Sequence, residues 1–134
     1  MNTWEDIKSY ITKKFGNPQE HKNEYTKERF LQVRIKLTDG RMQTVLVGDV
    51  PRLGKTWIQI LSPVGNIPKH KLEEALELAY KQRCGGLVKI GDIYYIRHGT
   101  PISDLNEEEF VGAFGFVAYS ADIIEKECIG GDKR

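Results

Sequence analysis

Cysteine is scarce in this sequence, and long hydrophobic runs are absent. Only two cysteines occur among 134 residues, Cys84 and Cys128, far apart and outside any CxxC arrangement. Residues 1–4 show no signal-peptide pattern, so we expect two reduced thiols in a cytoplasmic protein. The longest nonpolar run, residues 110–119, is far below the roughly 18 residues of a membrane span. We therefore expect no membrane partner.

An excess of one charge is also missing. The 20 basic and 19 acidic side chains leave a formal net charge of +1, which gives no electrostatic footprint for nucleic acid, an acidic substrate or an anionic membrane. Hydrophobic residues make up 40% and charged residues 29% of the chain, as in ordinary globular proteins. The length suits one domain with its own core, so we expect a single domain over residues 1–134.

Hydrophobic spacing in the first half predicts a helix followed by three strands. The helix would begin after Thr3 as N-cap and end at Gly16. Its apolar stripe is spaced three, four and four: Trp4, Ile7, Ile11 and Phe15. After a polar stretch over 19–29, the period changes to two over 31–37, as in a strand with one buried face. Residues 56–61 are apolar at nearly every position, which predicts a central strand.

Asp39-Gly40 predicts a two-residue hairpin turn, because both central positions of such a turn favour residues that tolerate positive φ. The turn would set the register of the two strands that it joins. The expected pairs are Leu37 with Met42, Ile35 with Thr44, and Val33 with Leu46. Val45 and Val47 would then lie on the face opposite the core, where we expect them to contact a partner. Residues 50–54 would form a longer connection to the third strand.

The second half predicts a helix, a hairpin and a long closing helix. Pro68 suits the first turn of a helix whose buried stripe would be Leu72, Ala75, Leu76, Ala79 and Tyr80. Gly91-Asp92 is a second hairpin signal, between 87–90 and 93–98, and residues 99–101 would end the strand. Asn106 and Glu109 form a capping box for the closing helix.

The closing helix is apolar on more than one side. Its core stripe would be Phe110, Phe114, Val117, Ala121, Ile124 and Cys128. A second stripe has no obvious partner within the chain: Gly112, Phe116, Tyr119 and Ile123. Gly112 and Gly115 each cost helix stability, about 1 kcal/mol, and indicate close approach of another backbone. We expect Phe116, Tyr119 and Ile123 to contact a peptide or a second copy of the chain.

The predicted architecture is α+β, an antiparallel sheet with helices in the order α-β-β-β-α-β-β-α. This order resembles the YbjN-like group of the type III secretion chaperone superfamily, as do four segments, mostly in the second half of the chain: 60–65, 94–98, 101–105 and 121–122. The resemblance implies a small cytoplasmic chaperone-like protein, often a homodimer. It also implies binding of a peptide segment of a partner protein without chemistry.

Signals for a cofactor are weak. Gly54-Lys55-Thr56 looks like the end of a P-loop, but the required earlier glycine is Asp49 and the following residues read as strand rather than helix. His21, His70 and His98 include no pair at the i, i+4 spacing of a helical metal site. Neither cysteine has a histidine nearby in sequence to lower its pKa. We expect no metal, no cofactor and no enzymatic activity.

An alternative hypothesis is a small-ligand binder or enzyme with a pocket near Arg97, His98 and Asp122. Strand ends beside loops often carry sites, which draws attention to Arg97 and His98. Asp122 lies in an apolar stretch. Three interpretations are open: it faces water, it pairs with Lys126 at i+4, or it is a buried carboxylate that meets Arg97 or another cation.

The C-terminal Gly130-Gly131-Asp132 resembles a fragment of the nucleotide cyclase signature, but a helix-ending glycine with an acidic tail is the simpler interpretation.

Overall fold

A computed structural model describes residues 1–103 and 105–130. The fold is α+β, as predicted, with one strand more than expected: α-β-β-β-β-α-β-β-α. The additional strand, β1, lies in the polar stretch that showed no strand pattern. The elements are α1 (Trp4–Phe15), β1 (Gln19–Lys22), β2 (Arg29–Lys36), β3 (Met42–Arg52), β4 (Lys55–Gly65), a short 3-10 turn (Lys69–Lys71), α2 (Leu72–Lys81), β5 (Gly86–Ile90), β6 (Ile93–Pro101) and α3 (Glu107–Cys128).

The six strands form one antiparallel sheet in the order β1-β2-β3-β4-β6-β5. Apolar side chains of the three helices pack on one face, here called the helix face, where they form the main core with Val45, Val47, Ile58 and Ile60. None of the described helices packs on the other face, here called the open face. It carries a smaller buried cluster: Phe30, Leu46, Leu61 and Tyr95.

The predicted helix ends are confirmed. The Thr3 side chain accepts a hydrogen bond from the Asp6 backbone N–H, and Gly16 ends α1 with φ 86°. Asn106 and Glu109 form the capping box that begins α3. Every residue of the predicted α3 core stripe is buried, because α3 lies across the helix face and its ring contacts reach α1. Phe114 stacks on Phe15 with ring centroids 5.2 Å apart.

The predicted register of the first hairpin is wrong by one residue. Gln32 lies opposite Leu46 and Val33 opposite Val45. The loop has three residues rather than two, since the Gly40 N–H donates to the Leu37 carbonyl and the Leu37 N–H to the Arg41 carbonyl. Gly40 alone takes a positive φ, 88°, and this is the bulged form of the turn.

The shifted register moves Val45 and Val47 to the helix face. Both side chains are fully buried, so the prediction that they contact a partner is wrong. Directly opposed residues in paired strands share a face, and Val45 and Val47 therefore face inward with their β2 partners, Val33 and Leu31. Leu46 lies on the open face instead.

One connection and the ends of two strands also differ from the predictions. β3 and β4 are joined by the two residues Leu53 and Gly54, both at positive φ (54° and 76°), so the longer loop over 50–54 is absent. β4 continues through Pro63 to Gly65, and β6 continues through Gly99 to Pro101. The Gly91-Asp92 turn is confirmed, with Ile90 opposite Ile93.

The predicted buried stripe of α2 is only partly right. Ala75 and Ala79 are buried, but Leu76 and Tyr80 are exposed. α2 joins the core with α3 through the side that carries Ala75 and Ala79. Just after its end, the Ser120 hydroxyl of α3 donates to the Gln82 side-chain oxygen at 3.2 Å. Gly130 has φ 82° and its N–H donates to the Glu125 carbonyl, whereas residues 131–132 lie outside the described part.

Candidate functional site

The outer stripe of α3, defined here as Gly112, Phe116, Tyr119 and Ile123, is open to solvent. Phe116 is 51% and Tyr119 52% exposed, and Ile123 is half-buried. Apart from the neighbouring residues and backbone of α3 itself, no described atom lies within 4 Å of a Cβ placed on Gly112 or Gly115. The expectation that another backbone approaches these glycines is therefore wrong for contacts within the described chain.

The three residues of the alternative pocket are not brought together. Arg97 lies on the open face, opposite Leu61. His98 points to the helix face, opposite Ile60. Asp122 is on α3, where it binds Arg41 of the β2–β3 hairpin. A pocket formed by these three side chains is therefore ruled out by their placement.

Asp122 belongs to a buried ionic cluster at the junction of the hairpin and α3. The residue is 2% exposed, and its carboxylate accepts a hydrogen bond from Arg41 Nε at 2.6 Å. Arg41 Nη2 also lies 3.7 Å from Glu125 Oε1, and Lys126 Nζ lies 3.8 Å from Asp122 and 3.2 Å from Asp39. The buried-carboxylate hypothesis is confirmed, with Arg41 rather than Arg97 as the cation.

Cys84 and His98 form a contact that sequence spacing could not show. The thiol sulfur lies 3.3 Å from His98 Nδ1. Burial raises the pKa of the Cys84 thiol and lowers the pKa of His98, so both directions favour the neutral pair over a thiolate–imidazolium pair. Burial together with Glu74 raises the pKa of Cys128 to about 11. Neither thiol is activated as a nucleophile.

A groove of about 780 Å³ lies on the open face. Its lining residues come from β3, β4, β6 and the β1–β2 loop: Thr26, Glu28, Val50, Arg52, Trp57, Gln59, Arg97 and Gly99. Gly99 lies opposite Gln59, and the only atom within 4 Å of a Cβ placed on it is the Ile58 carbonyl oxygen, at 3.9 Å. The missing side chain of Gly99 thus leaves space above the sheet. Such a volume is in the range of ligand-binding pockets.

One wall of the groove is built by the β1–β2 loop, here called the wall segment (residues 23–28). Asn23 is buried, and its side-chain oxygen accepts hydrogen bonds from the N–H groups of Tyr25 and Thr26. The segment crosses the open face: the Tyr25 ring lies so close to Gly91 that a Cβ there would be 2.2 Å from it. Glu28 then accepts a hydrogen bond from Gln59 Nε2 at 3.1 Å.

Sequence reasoning missed this groove because its walls are distant in the chain. One available signal was the Gly99-Thr100-Pro101 run, which we read as a strand end although its glycine lies within β6. A second signal was Gly48. A Cβ placed on it would lie 2.7 Å from Phe30 Cδ1, so the Phe30 ring occupies the space that a side chain would need. Glycine inside a strand often marks such close approaches.

The other sequence motifs show no site in the described residues. Gly54-Lys55-Thr56 forms the β3–β4 turn and the start of β4, so a strand follows the glycine. No three His, Cys, Asp or Glu side chains among residues 1–103 and 105–130 are grouped to hold a metal ion. Within the same residues, every helix is too short or too polar to span a bilayer.

Comparison with known proteins gives no family assignment. No protein-family model matches the chain, and no curated protein matches it.

Proposed function

We propose that the protein is a non-enzymatic, chaperone-like protein of the cytoplasm that binds an extended peptide segment of a partner protein, as a homodimer. The observation that carries this proposal is the open-face groove. It runs over the middle of an antiparallel sheet, where a chain in extended conformation can lie along the strands. Trp57 and Val50 offer apolar contact, while Gln59 and Thr26 offer hydrogen bonds to a peptide backbone.

The lining of the groove favours binding over chemistry. It contains no histidine or cysteine, and its one carboxylate, Glu28, is held by Gln59. The Cys84–His98 pair lies elsewhere, with pKa directions that keep both groups neutral. A general acid–base or nucleophilic step needs groups poised near neutral pH and close to the bound ligand.

The outer stripe of α3 supports the homodimer. Glu108, Tyr119 and Lys126 lie on one side of the helix, because 18 residues make about five turns. Two antiparallel copies centred near residue 117 would bring Lys126 toward the partner's Glu108. They would also place Tyr119 against the partner's Gly115, whose exposed surface leaves space for a ring. A two-fold interface needs this self-complementarity.

The resemblance to the YbjN-like group supports the same function. The order of helices and strands differs from the predicted order only by the short β1. We propose membership of that group on this basis.

The test is retention of peptides from an equimolar pool of unstructured random decapeptides by the immobilised protein, read out by mass spectrometry. Wild type should retain a reproducible subset. The Gly99→Leu variant should lose it, because the new side chain fills the groove without a backbone clash. Thr56→Leu is the control, since it places the same leucine side chain at an exposed position of β4 on the helix face, away from the groove. No retention by wild type, or equal retention by Gly99→Leu, contradicts the proposal.

A further inference from the structure

The open face is basic although the chain as a whole is close to neutral. Register and alternation place five charged strand residues on this face, and all are cations: Arg34, Lys36, Arg52, Lys55 and Arg97. None of the described strands places a carboxylate there. Acidic side chains gather on the helices instead, as in Glu73 and Glu74 of α2 and the first turn of α3. A net charge of +1 therefore hides a strong asymmetry between faces.

The groove lies between two of these cations. Arg52 is paired with Lys55 at one end of β4, and Arg97 with Leu61 further along it. The two positions are six residues apart on β4 and so about 20 Å apart along the strand. Both arginines are exposed, and Trp57 and Gln59 lie between them. An extended chain laid along β4 would pass both guanidinium groups.

We infer that the groove selects an acidic peptide segment, with two carboxylates about six residues apart bound by Arg52 and Arg97. This inference rests on the proposed peptide-binding function and specifies its ligand. Guanidinium groups pair with carboxylates through parallel hydrogen bonds, which fix orientation as well as charge. The intervening residues of the peptide contact Trp57 and Gln59. The Glu28 carboxylate repels an acidic residue, but it is already hydrogen-bonded to Gln59, and the two arginines outweigh its single negative charge.

The aromatic side chains of the open face argue against single-stranded nucleic acid as the ligand. Nucleic-acid sites of this kind combine cations with exposed rings on which bases stack. Phe30 and Tyr95 of the open face are buried in its small cluster. Trp57 is the only aromatic ring among the residues that line the groove, and the exposed Tyr25 of the wall segment lies against Gly91 instead. One such ring is a poor platform for successive bases, whereas a peptide needs only one anchor.

The experiment measures fluorescence anisotropy with three labelled decapeptides in one Ala/Ser/Val background. The acidic probe carries Glu at positions 2 and 8, a second probe carries Gln there, and a third carries Glu at positions 2 and 4. The acidic probe should bind at least tenfold more tightly than the Gln probe and lose affinity as salt is added. Arg52→Gln and Arg97→Gln should each weaken it about fivefold, and together about 25-fold.

Arg34→Gln is the control, because Arg34 lies on the same face but outside the groove; its affinity should stay at the wild-type value. Equal binding of the acidic and Gln probes overturns the inference but leaves the proposed peptide binding intact. Failure of all three probes to bind, while peptides of the random pool are still retained, has the same consequence. Equal binding of both acidic spacings overturns the two-arginine geometry. Tighter, Arg97-dependent binding of a ten-nucleotide oligothymidylate overturns the inference in favour of nucleic acid.

Discussion

At the scale of single residues, Leu53 carries the clearest conflict between side chain and backbone. It is 92% exposed and has φ 54°, a left-handed conformation that costs a leucine roughly 1 kcal/mol. Asp39, by contrast, was predicted to adopt that conformation and does not. Positive φ at both central positions is thus found in the β3–β4 turn, which contains neither Asn nor Asp.

Replacing Leu53 by Asn should stabilise the protein by about 0.5–1 kcal/mol, because Asn tolerates the left-handed region and Leu does not. Urea unfolding should show a higher midpoint with an unchanged slope. Leu53→Ala removes the exposed apolar group but keeps the backbone penalty, so it should give little gain. A midpoint for Leu53→Asn at or below wild type would show that the turn is not strained.

At the scale of elements, the ionic cluster fastens the β2–β3 hairpin to α3. The hairpin tip is otherwise exposed at Thr38, Asp39 and Gly40. Arg41 reaches from it to the buried carboxylates of Asp122 and Glu125. A buried carboxylate that loses its cation keeps its desolvation cost, so this contact ties helix position to hairpin conformation.

Arg41→Met should therefore lower the free energy of unfolding by about 3 kcal/mol. Arg34→Met is the matched control on β2, where the side chain is exposed and makes one long contact of 3.5 Å with Thr44; its effect should stay within about 0.5 kcal/mol. Denaturant unfolding of both variants gives the comparison. Similar small effects for both would show that Lys126 alone neutralises Asp122.

Elements were predictable where local signals agree and not where the outcome depends on distant segments. The caps at Thr3 and Asn106 and the α3 core stripe follow from neighbouring residues alone, and they are confirmed. The β2–β3 register depended on one loop residue, and a slip of one residue reverses both faces; Val45 and Val47 were misassigned for that reason. The groove could not be predicted, because residues more than 70 positions apart, such as Thr26 and Gly99, form it.

At the scale of the whole molecule, the proposed arrangement places the dimer contact and the peptide groove on opposite sides of the sheet, with α3 on the dimer side. Its core stripe joins the helix to the sheet, and its outer stripe remains for a second copy. The open-face groove lies on the other side of the sheet from α3. Dimer formation and peptide binding would therefore use opposite surfaces, and a substitution at one should leave the other unchanged.

Phe116→Asp should weaken the dimer about 30-fold, because an aromatic side chain buried at an interface typically contributes about 2 kcal/mol. The monomer fold should survive, since Phe116 is half-exposed within the chain. Leu76→Asp is the control, an apolar residue of α2 that is also 51% exposed. Sedimentation velocity over a concentration series gives the dissociation constants, and circular dichroism checks the fold. Wild type that sediments as a monomer throughout the series contradicts the dimer.

The hydrogen bonds within the wall segment bear on the thermodynamics of any ligand in the groove. The Asn23 N–H donates to the Glu28 carbonyl, and the Asn23 carbonyl accepts from the Lys27 N–H, in addition to the side-chain contacts of Asn23. The turn is therefore ordered before a ligand arrives. Ordering a loop on association commonly reduces affinity. In this protein the wall segment loses its conformational entropy during folding. The entropy cost of binding therefore comes mainly from ordering the peptide. We therefore expect that restricting the conformation of the peptide changes the affinity more than substitutions next to the wall segment do.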